Sequence, residues 1–286
     1  MFNIKKYGIV VDSTTVISDE IKNKYNIKIA SLNVIIDKES YKEVDLTIEK
    51  MEKNIKEKEM KTSQPSPDEY FNCFQELLNE GYEYILCIPM SSGLSGSYQS
   101  AILARDLIEN NKNIYIYDVK ICSFAIENLL DGILPLIDNN VEIDVISKEI
   151  AELSKNSNVS FTITELMHLF RGGRLNIIKA ALGVLFRVKP VIEMTEEGKL
   201  EMTNKLRTYS LVKNFFMNKI NYFCSNFKNV FLKIVSLNQD SILNDLLDAI
   251  KNKYNNLKIT ITHTISPVFI VHLGTNGIGI SICASN

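Results

Sequence analysis

The sequence reads as an α/β protein of two domains, and three observations carry that reading. Short apolar runs alternate with helical stretches through the first half, the pattern of a parallel sheet covered on both faces. The polar stretch Lys155-Asn156-Ser157-Asn158 interrupts the pattern and places the domains at 1–157 and 158–286. Beyond it, extended runs at 189–194 and 199–206 flank Glu196-Glu197-Gly198, a hairpin signal. The expected architecture is an N-terminal, mostly parallel Rossmann-like sheet with flanking helices, followed by a C-terminal α/β domain with a mixed sheet. A length of 286 residues is enough for two cores.

The first strand is read at 7–11, followed by Asp12-Ser13-Thr14-Thr15 and a short helix near 18–25. Residues 27–36 read as the next strand, and a charged helix follows at 47–58 with Thr47 as its N-cap. Ser66-Pro67-Asp68-Glu69 is the strongest helix start: a Ser cap, Pro at the first helical position and Glu two residues on. Tyr70, Phe71, Phe74, Leu77 and Leu78 then recur at helical spacing, and Gly81 ends the helix. A strand at 84–88, a helix at 98–109 and a strand at 114–117 continue the alternation. In the second half, 143–154 reads as helix and 164–170 as a helix broken at Gly172-Gly173. Strands are expected at 230–235 and 258–265, and the chain closes with apolar runs at 268–273 and 278–283.

Composition narrows the function classes. The formal net charge is -2, so no global basic field favours nucleic acid or an anionic membrane. Hydrophobic residues make up 45% and charged residues 23%, an ordinary globular balance. No apolar run approaches the length of a membrane helix, and the first residues lack a signal-peptide pattern, so a cytoplasmic protein without stable membrane insertion is expected. The five cysteines are scattered, which fits buried thiols better than a disulfide framework. The three histidines lack metal-ligand spacing, and neither a metal nor a cofactor is expected.

Four segments place polar residues where an apolar run ends: Asp12-Ser13-Thr14-Thr15, Thr62-Ser63-Gln64-Pro65-Ser66-Pro67, Ser91-Ser92-Gly93-Leu94-Ser95-Gly96-Ser97 and His272-Leu273-Gly274. In open α/β sheets ligands bind outside the carboxyl ends of the strands. Hydroxyls and free amides gathered at helix N-termini suit an anion, and a carboxylate accepts several such bonds at once. Ser and Thr at helix starts are also ordinary caps, and Ser66 is assigned to capping alone. Arg171-Gly172-Gly173-Arg174 reads equally as an anion-binding turn or as a helix C-terminus. Enzymatic motifs fail on spacing: the last position of a G-x-S-x-G elbow at Gly93 is Ser97, and no phosphate loop or complete G-x-G-x-x-G follows a strand.

In this order the segments resemble the DegV family. The resemblance runs from Asp12-Ser13-Thr14 through Thr62-Ser63-Gln64-Pro65-Ser66 and Ser91-Ser92-Gly93-Leu94-Ser95-Gly96 to Gly172-Gly173-Arg174-Leu175, Lys189-Pro190, Leu206-Arg207 and His272-Leu273-Gly274. It spans nearly the whole chain and implies a non-catalytic carrier that binds one long-chain fatty acid in a tunnel between the domains. The carboxylate is then expected at Thr62, Ser63, Ser92 or Ser95, and His272. A separate fatty-acid kinase is implied as the partner that phosphorylates the bound acid, with Arg174 and Arg207 facing the kinase or the acyl-phosphate. The chain departs from the family at Thr275, where many members have Pro, and at Phe124, where small residues are common. A residue as large as Phe124 at a tunnel wall shortens the tunnel or favours a different chain shape. Two alternatives stay open: a small hydrolase using Ser95 in the cleft, and a lipid-sensing regulatory protein.

Overall fold

The computed structural model describes residues 5–55, 57–175, 188–251 and 253–286. Its first sheet contains β1 (Lys5–Asp12), β2 (Lys28–Ala30), β6 (Tyr82–Ile88) and β7 (Ile114–Ile116) in the order β2-β1-β6-β7, with every pairing parallel. Side chains alternate across a strand, so a parallel sheet buried on both faces must feed two cores. Ile9 and Val11 of β1 enter the large core shared with the second half of the chain, whereas Val10 enters a separate core. That separate core lies under α3 (Pro67–Asn79) and α4 (Ser97–Asp106). The start of α3 forms as its sequence dictates: Ser66 accepts from the Glu69 amide at 3.3 Å, and Pro67 occupies the first turn. The Glu69 side chain pairs with Lys42 at 2.7 Å.

The second sheet is mixed and six-stranded. Its order is β10 (Leu200–Leu206), β9 (Lys189–Met194), β8 (Ser157–Ile163), β13 (Gly277–Ser285), β11 (Asn229–Leu237) and β12 (Leu257–Thr262). Only β11–β12 is parallel, as expected for two strands joined by a helix, here α9 (Asp240–Ile250). Val230, Leu232 and Ile234 of β11 pack in the core under α8 (Tyr209–Asn226) and α9, while Phe231 and Val235 face the shared core. Between the two sheets lie α5 (Phe124–Asp138) and α6 (Ile143–Lys155), whose apolar residues join the shared core. These helices contact β11 and β13 on one side. On the other, Tyr7 donates to the Val141 carbonyl, and Tyr117 bonds Ser147 at 2.8 Å. The layers are therefore helix, sheet, helix, sheet, helix.

Three expectations change. The strand expected at 27–36 is two strands in different sheets: β2 stays beside β1, and β3 (Asn33–Ile36) joins a small antiparallel sheet ordered β4-β3-β5, with β4 (Glu39–Lys42) and β5 (Met60–Ser63). Ser13 makes the break, because its amide donates to the Ala30 carbonyl at 3.0 Å and its hydroxyl accepts from the Leu32 amide at 2.9 Å. In the polar stretch 155–158, Lys155 ends α6, Ser157 and Asn158 begin β8, and Asn156 alone lies between them. The apolar run 268–273 is helical: α10 (Pro267–Leu273) is capped by Ser266 and packs on β3, β5 and α2 (Ile48–Asn54), and on α7 (Leu166–Arg171). No helix among the described residues is long and apolar enough to cross a membrane.

Candidate functional site

Two of the polar segments meet in space. Thr62 lies at the end of the small sheet on β5, and His272 projects from α10. Thr62 Oγ1 and His272 Nε2 are 2.9 Å apart, joining positions separated by 210 residues. His272 Nδ1 is buried and has no hydrogen-bond partner among the described residues. A buried lone pair without a donor costs less than a buried N–H without an acceptor, so the proton belongs on Nε2. In that tautomer Nε2–H donates to Thr62 Oγ1, and the threonine hydroxyl keeps its own hydrogen to offer an anion. Gly172 makes the close packing possible, because a Cβ on it would overlap Nδ1.

The Thr62–His272 pair divides two spaces. On one side is a crevice whose walls include Leu32, Met90, Leu94, Leu169, Phe269 and Leu273. Ser63, Gln64 and Ser95 add polar groups, and the crevice narrows to about 40 Å³. On the other side is a cavity of about 480 Å³, lined by Lys58, Lys61, His168, Arg171 and one acid, Glu59. Thr62, Arg174 and His272 border both spaces. Lys61 pairs with Glu59 at 2.8 Å, Lys58 with Asp37 at 3.4 Å and His168 with Glu165 at 2.8 Å, so a group bound at this partition has apolar walls behind it and, in front, a basic cavity whose guanidinium groups are Arg171 and Arg174.

The serine-rich loop between β6 and α4 is held from below by Asp12 at the end of β1. This fully buried carboxylate accepts from the Met90 amide at 2.7 Å and from Ser97 Oγ at 2.8 Å. Thr14 contributes its amide at 3.2 Å and its hydroxyl. Burial pushes the Asp12 carboxyl above its ordinary value, and these four bonds oppose the shift. Asp12 therefore serves the loop and not the crevice. Ser91 Oγ donates to the Gly198 carbonyl at 2.8 Å and ties the loop to the β9–β10 turn.

Among the expected site residues, the structure brings Thr62, Ser63, Ser95 and His272 to one crevice. Ser95 arrives at the N-terminal end of α4, where the helix dipole favours negative charge, and its hydroxyl accepts from the Ser97 amide at 3.2 Å. Ser92 points elsewhere: its hydroxyl donates to Asp118 at 2.5 Å and accepts from Lys120 at 2.8 Å. Arg174 borders both spaces and donates to the Gly172 carbonyl. Arg207 follows the last residue of β10, whereas the crevice touches that strand at its first residue, Leu200. Seven residues of strand put roughly 20 Å between the two ends. Phe124 is buried at the start of α5, in the shared core. Among the described residues no imidazole or carboxylate hydrogen-bonds Ser95, so the nucleophile–base pair that a serine hydrolase needs is not formed there.

Gln64 is a site residue that sequence reasoning passed over inside its own motif. It lines the crevice and donates to Ser100 at 3.0 Å, and a Cβ at Gly96 would displace the Gln64 amide from this position. Its signal was the T-S-Q-P-S element itself.

Burial lowers His272 to about 4, with Arg174 and His168 adding repulsion. The imidazole is thus neutral at physiological pH. Between its ordinary 6.5 and about 4, the unfolded chain takes up a proton that the folded chain refuses. His272 should therefore favour folding fully above 6.5, and that share should fall by up to about 1.4 kcal/mol per pH unit as the pH drops towards 4. Urea unfolding at pH 7 and pH 5 measures it. His272→Gln should lose more of its pH dependence than any surface histidine variant, and an identical slope in wild type and variant would refute the assignment.

The sequence profile of the DegV family, described as uncharacterised proteins, matches residues 6–285. A DegV domain-containing protein of Halalkalibacterium halodurans is 29% identical over 283 residues, covering 96% of this chain and 98% of the relative. One of Listeria innocua is 32% identical over 207 residues, 71% of this chain and 72% of the relative. Among solved structures, the fatty acid binding DegV family protein of Streptococcus agalactiae superposes with a TM-score of 0.84 at 26% identity, covering 98% of this chain and 99% of that one. DegV of Bacillus subtilis, a fatty acid binding protein, superposes with a TM-score of 0.84 at 26% identity, covering 98% and 100%. With the profile matching nearly every residue and the two-domain architecture shared, this chain belongs to the DegV family.

Proposed function

We propose that this protein binds one long-chain fatty acid and presents its carboxylate to a fatty-acid kinase, catalysing nothing alone. The observation that carries the reading is the partition at Thr62 and His272, with an apolar crevice on one side and a cationic cavity on the other. A fatty acid matches both halves: its chain wants the apolar walls, and its carboxylate wants hydroxyls and nearby cations. The solved relatives described as fatty acid binding support the same ligand. Thr62, Ser63 and Ser95 supply hydroxyl groups to the carboxylate, and neutral His272 orients Thr62. Ser92, bonded to Asp118 and Lys120, shapes the loop and is not assigned to the head group. A crevice of about 40 Å³ is smaller than an acyl chain, so the reading requires the apolar walls to part on binding. Each buried methylene contributes about 0.8 kcal/mol towards that opening.

Native mass spectrometry tests the ligand. The expected result is a single fatty acid per chain after incubation with a mixture of acids. Only apoprotein under those conditions would sink the reading.

The kinase is proposed to meet the cationic side. Attack of the carboxylate oxygen on the γ-phosphorus of a nucleoside triphosphate breaks the bond to the β-phosphate oxygen, releases the nucleoside diphosphate and leaves an acyl-phosphate at the partition, where Arg174 and Arg171 are placed to meet its charge. Arg174→Ala should lower lipid occupancy less than Thr62→Ala does, and slow phosphorylation by a cognate kinase about tenfold for one lost charge-assisted bond. Arg207, at the far end of β10, is assigned to kinase docking, so Arg207→Ala should act at low carrier concentration and be overcome at high concentration. A double variant phosphorylated at the wild-type rate at every concentration removes both roles.

A further inference from the structure

One buried carboxylate links the two motifs that frame the site. Glu43 opens a 3-10 turn, Glu43–Asp45, after β4 and is 2% exposed. Its Oε2 accepts from Ser13 Oγ, the hydroxyl that also receives the Leu32 amide. Its Oε1 accepts from the Val268 amide at 2.7 Å, in the first turn of α10. Ser266, the cap of that helix, adds a side-chain hydrogen bond. The Glu43 backbone is anchored as well, its amide donating to the Leu32 carbonyl at 2.8 Å. Among the described residues no basic side chain pairs with it.

This arrangement is more than ordinary capping. The cap residue Ser266 already receives the Phe269 amide, and Glu43 comes from a position 225 residues away in the sequence. Val268 and His272 are four residues apart and therefore share one face of α10. Both line the crevice. A seven-residue helix is too short to bend gradually, so a shift of its first turn moves His272 against Thr62.

We infer that Glu43 is the positioning residue of the head-group site: it fastens the first turn of α10 to Ser13 and so sets the distance between His272 and Thr62. Burial holds the Glu43 carboxyl above its ordinary value, opposed by bonds from Ser13, Ser266 and Val268. The energetic strain of burying this group is tolerated at a joint between the two ends of the chain, where a neutral apolar contact would not fix direction.

The test uses the full chain and two readouts. The first is the pair of His272 ring-nitrogen chemical shifts, which report hydrogen bonding at Nε2 without lipid. The second is titration with cis-parinaric acid, and this arm alone rests on the fatty-acid reading. Glu43→Ala should move the His272 shifts and weaken cis-parinarate binding about tenfold, as for loss of a bond to a charged group. Glu43→Gln keeps an acceptor for Val268 and a polar group for Ser13, so it should restore both readouts. A folded Glu43→Ala with wild-type His272 shifts, or a Glu43→Gln as impaired as Glu43→Ala, overturns the inference. Should Glu43→Ala fail to fold, Glu43→Asp carries the test: one methylene shorter, it cannot reach Ser13 and Val268 together. Its His272 shifts should move, and unchanged shifts overturn the inference. Wild-type protein that fails to bind cis-parinarate defeats the lipid reading, and the shift comparison still decides Glu43.

Discussion

Thr62→Ala is expected to weaken fatty-acid binding by about 1.5–3 kcal/mol, roughly tenfold to a hundredfold, because it removes a hydroxyl donor to a charged group. The loss has a second component. Thr62 is the partner of His272 Nε2, and His272 Nδ1 already lacks one, so the variant leaves both nitrogens of a buried imidazole unpaired. Thr62→Ser restores the hydroxyl and should recover most of the affinity. Ser95→Ala should show a smaller effect, since the Ser95 hydroxyl is shared with the Ser97 amide. Fluorescence titration with cis-parinaric acid, alongside thermal unfolding, separates binding from folding. Unchanged affinity in a well-folded Thr62→Ala would take the carboxylate away from this loop.

Gly93→Ala should have the largest effect on stability among the loop substitutions. A Cβ at Gly93 would lie 2.5 Å from the Gly198 carbonyl oxygen and 2.7 Å from that of Glu197. Both obstacles are backbone, so no rotamer change relieves them. Gly198 is itself confined, with φ of 73°, and a Cβ there would collide with Ser91 Oγ. The two turns, one from each half of the chain, are interlocked. Overpacking typically costs about 1–3 kcal/mol, and a rigid backbone neighbour places this site at the upper end. At roughly 2–4 °C per kcal/mol for a chain of this size, the expected fall in Tm is on the order of 5–10 °C. Affinity should fall too, because Ser95 rides on the same loop. A variant melting at the wild-type temperature would mean that the turns are not in contact in solution.

Several elements were legible because their signals are local. Ser66-Pro67 marked the start of α3, and Thr47 the start of α2. Ser266-Pro267 is the same signal, and it starts α10, but the apolar run after it, Val268 to Leu273, hides the helix because no polar face interrupts it. Such a run belongs to a helix buried on most sides, and α10 is wedged among α2, α7 and the small sheet. The split at Ser31 was not legible: the apolar pattern from Ile27 to Ile36 is continuous, and the break is imposed from Ser13, far away in sequence.

The site was partly legible for the same reason. Thr62, Ser95 and His272 were marked as polar groups at the ends of apolar runs, and all three line one crevice. That Ser95 and not Ser92 lines the crevice is visible only in three dimensions, because both are serines of one loop and the Asp118–Lys120 pair holds Ser92. Glu43 carried no signal: in sequence it is one acid among many in a charged stretch, and only its burial beside Ser13 and Val268 distinguishes it.

By itself, then, the sequence determined what depends on period and local chemistry: a parallel sheet first, a mixed sheet after it, helix starts at capped prolines, and hydroxyl-rich loops where strands end. The tertiary structure alone decided what depends on contacts between distant segments. It placed a C-terminal helix on an N-terminal sheet, set the His272 imidazole against Thr62 and gave Asp12 to the loop. It also put Arg174 at the border of the crevice and Arg207 a strand's length away. The physical reason is that burial and hydrogen-bond pairing are properties of the packed chain: a residue's type says which bonds it can make, and only the fold says which partners remain within reach.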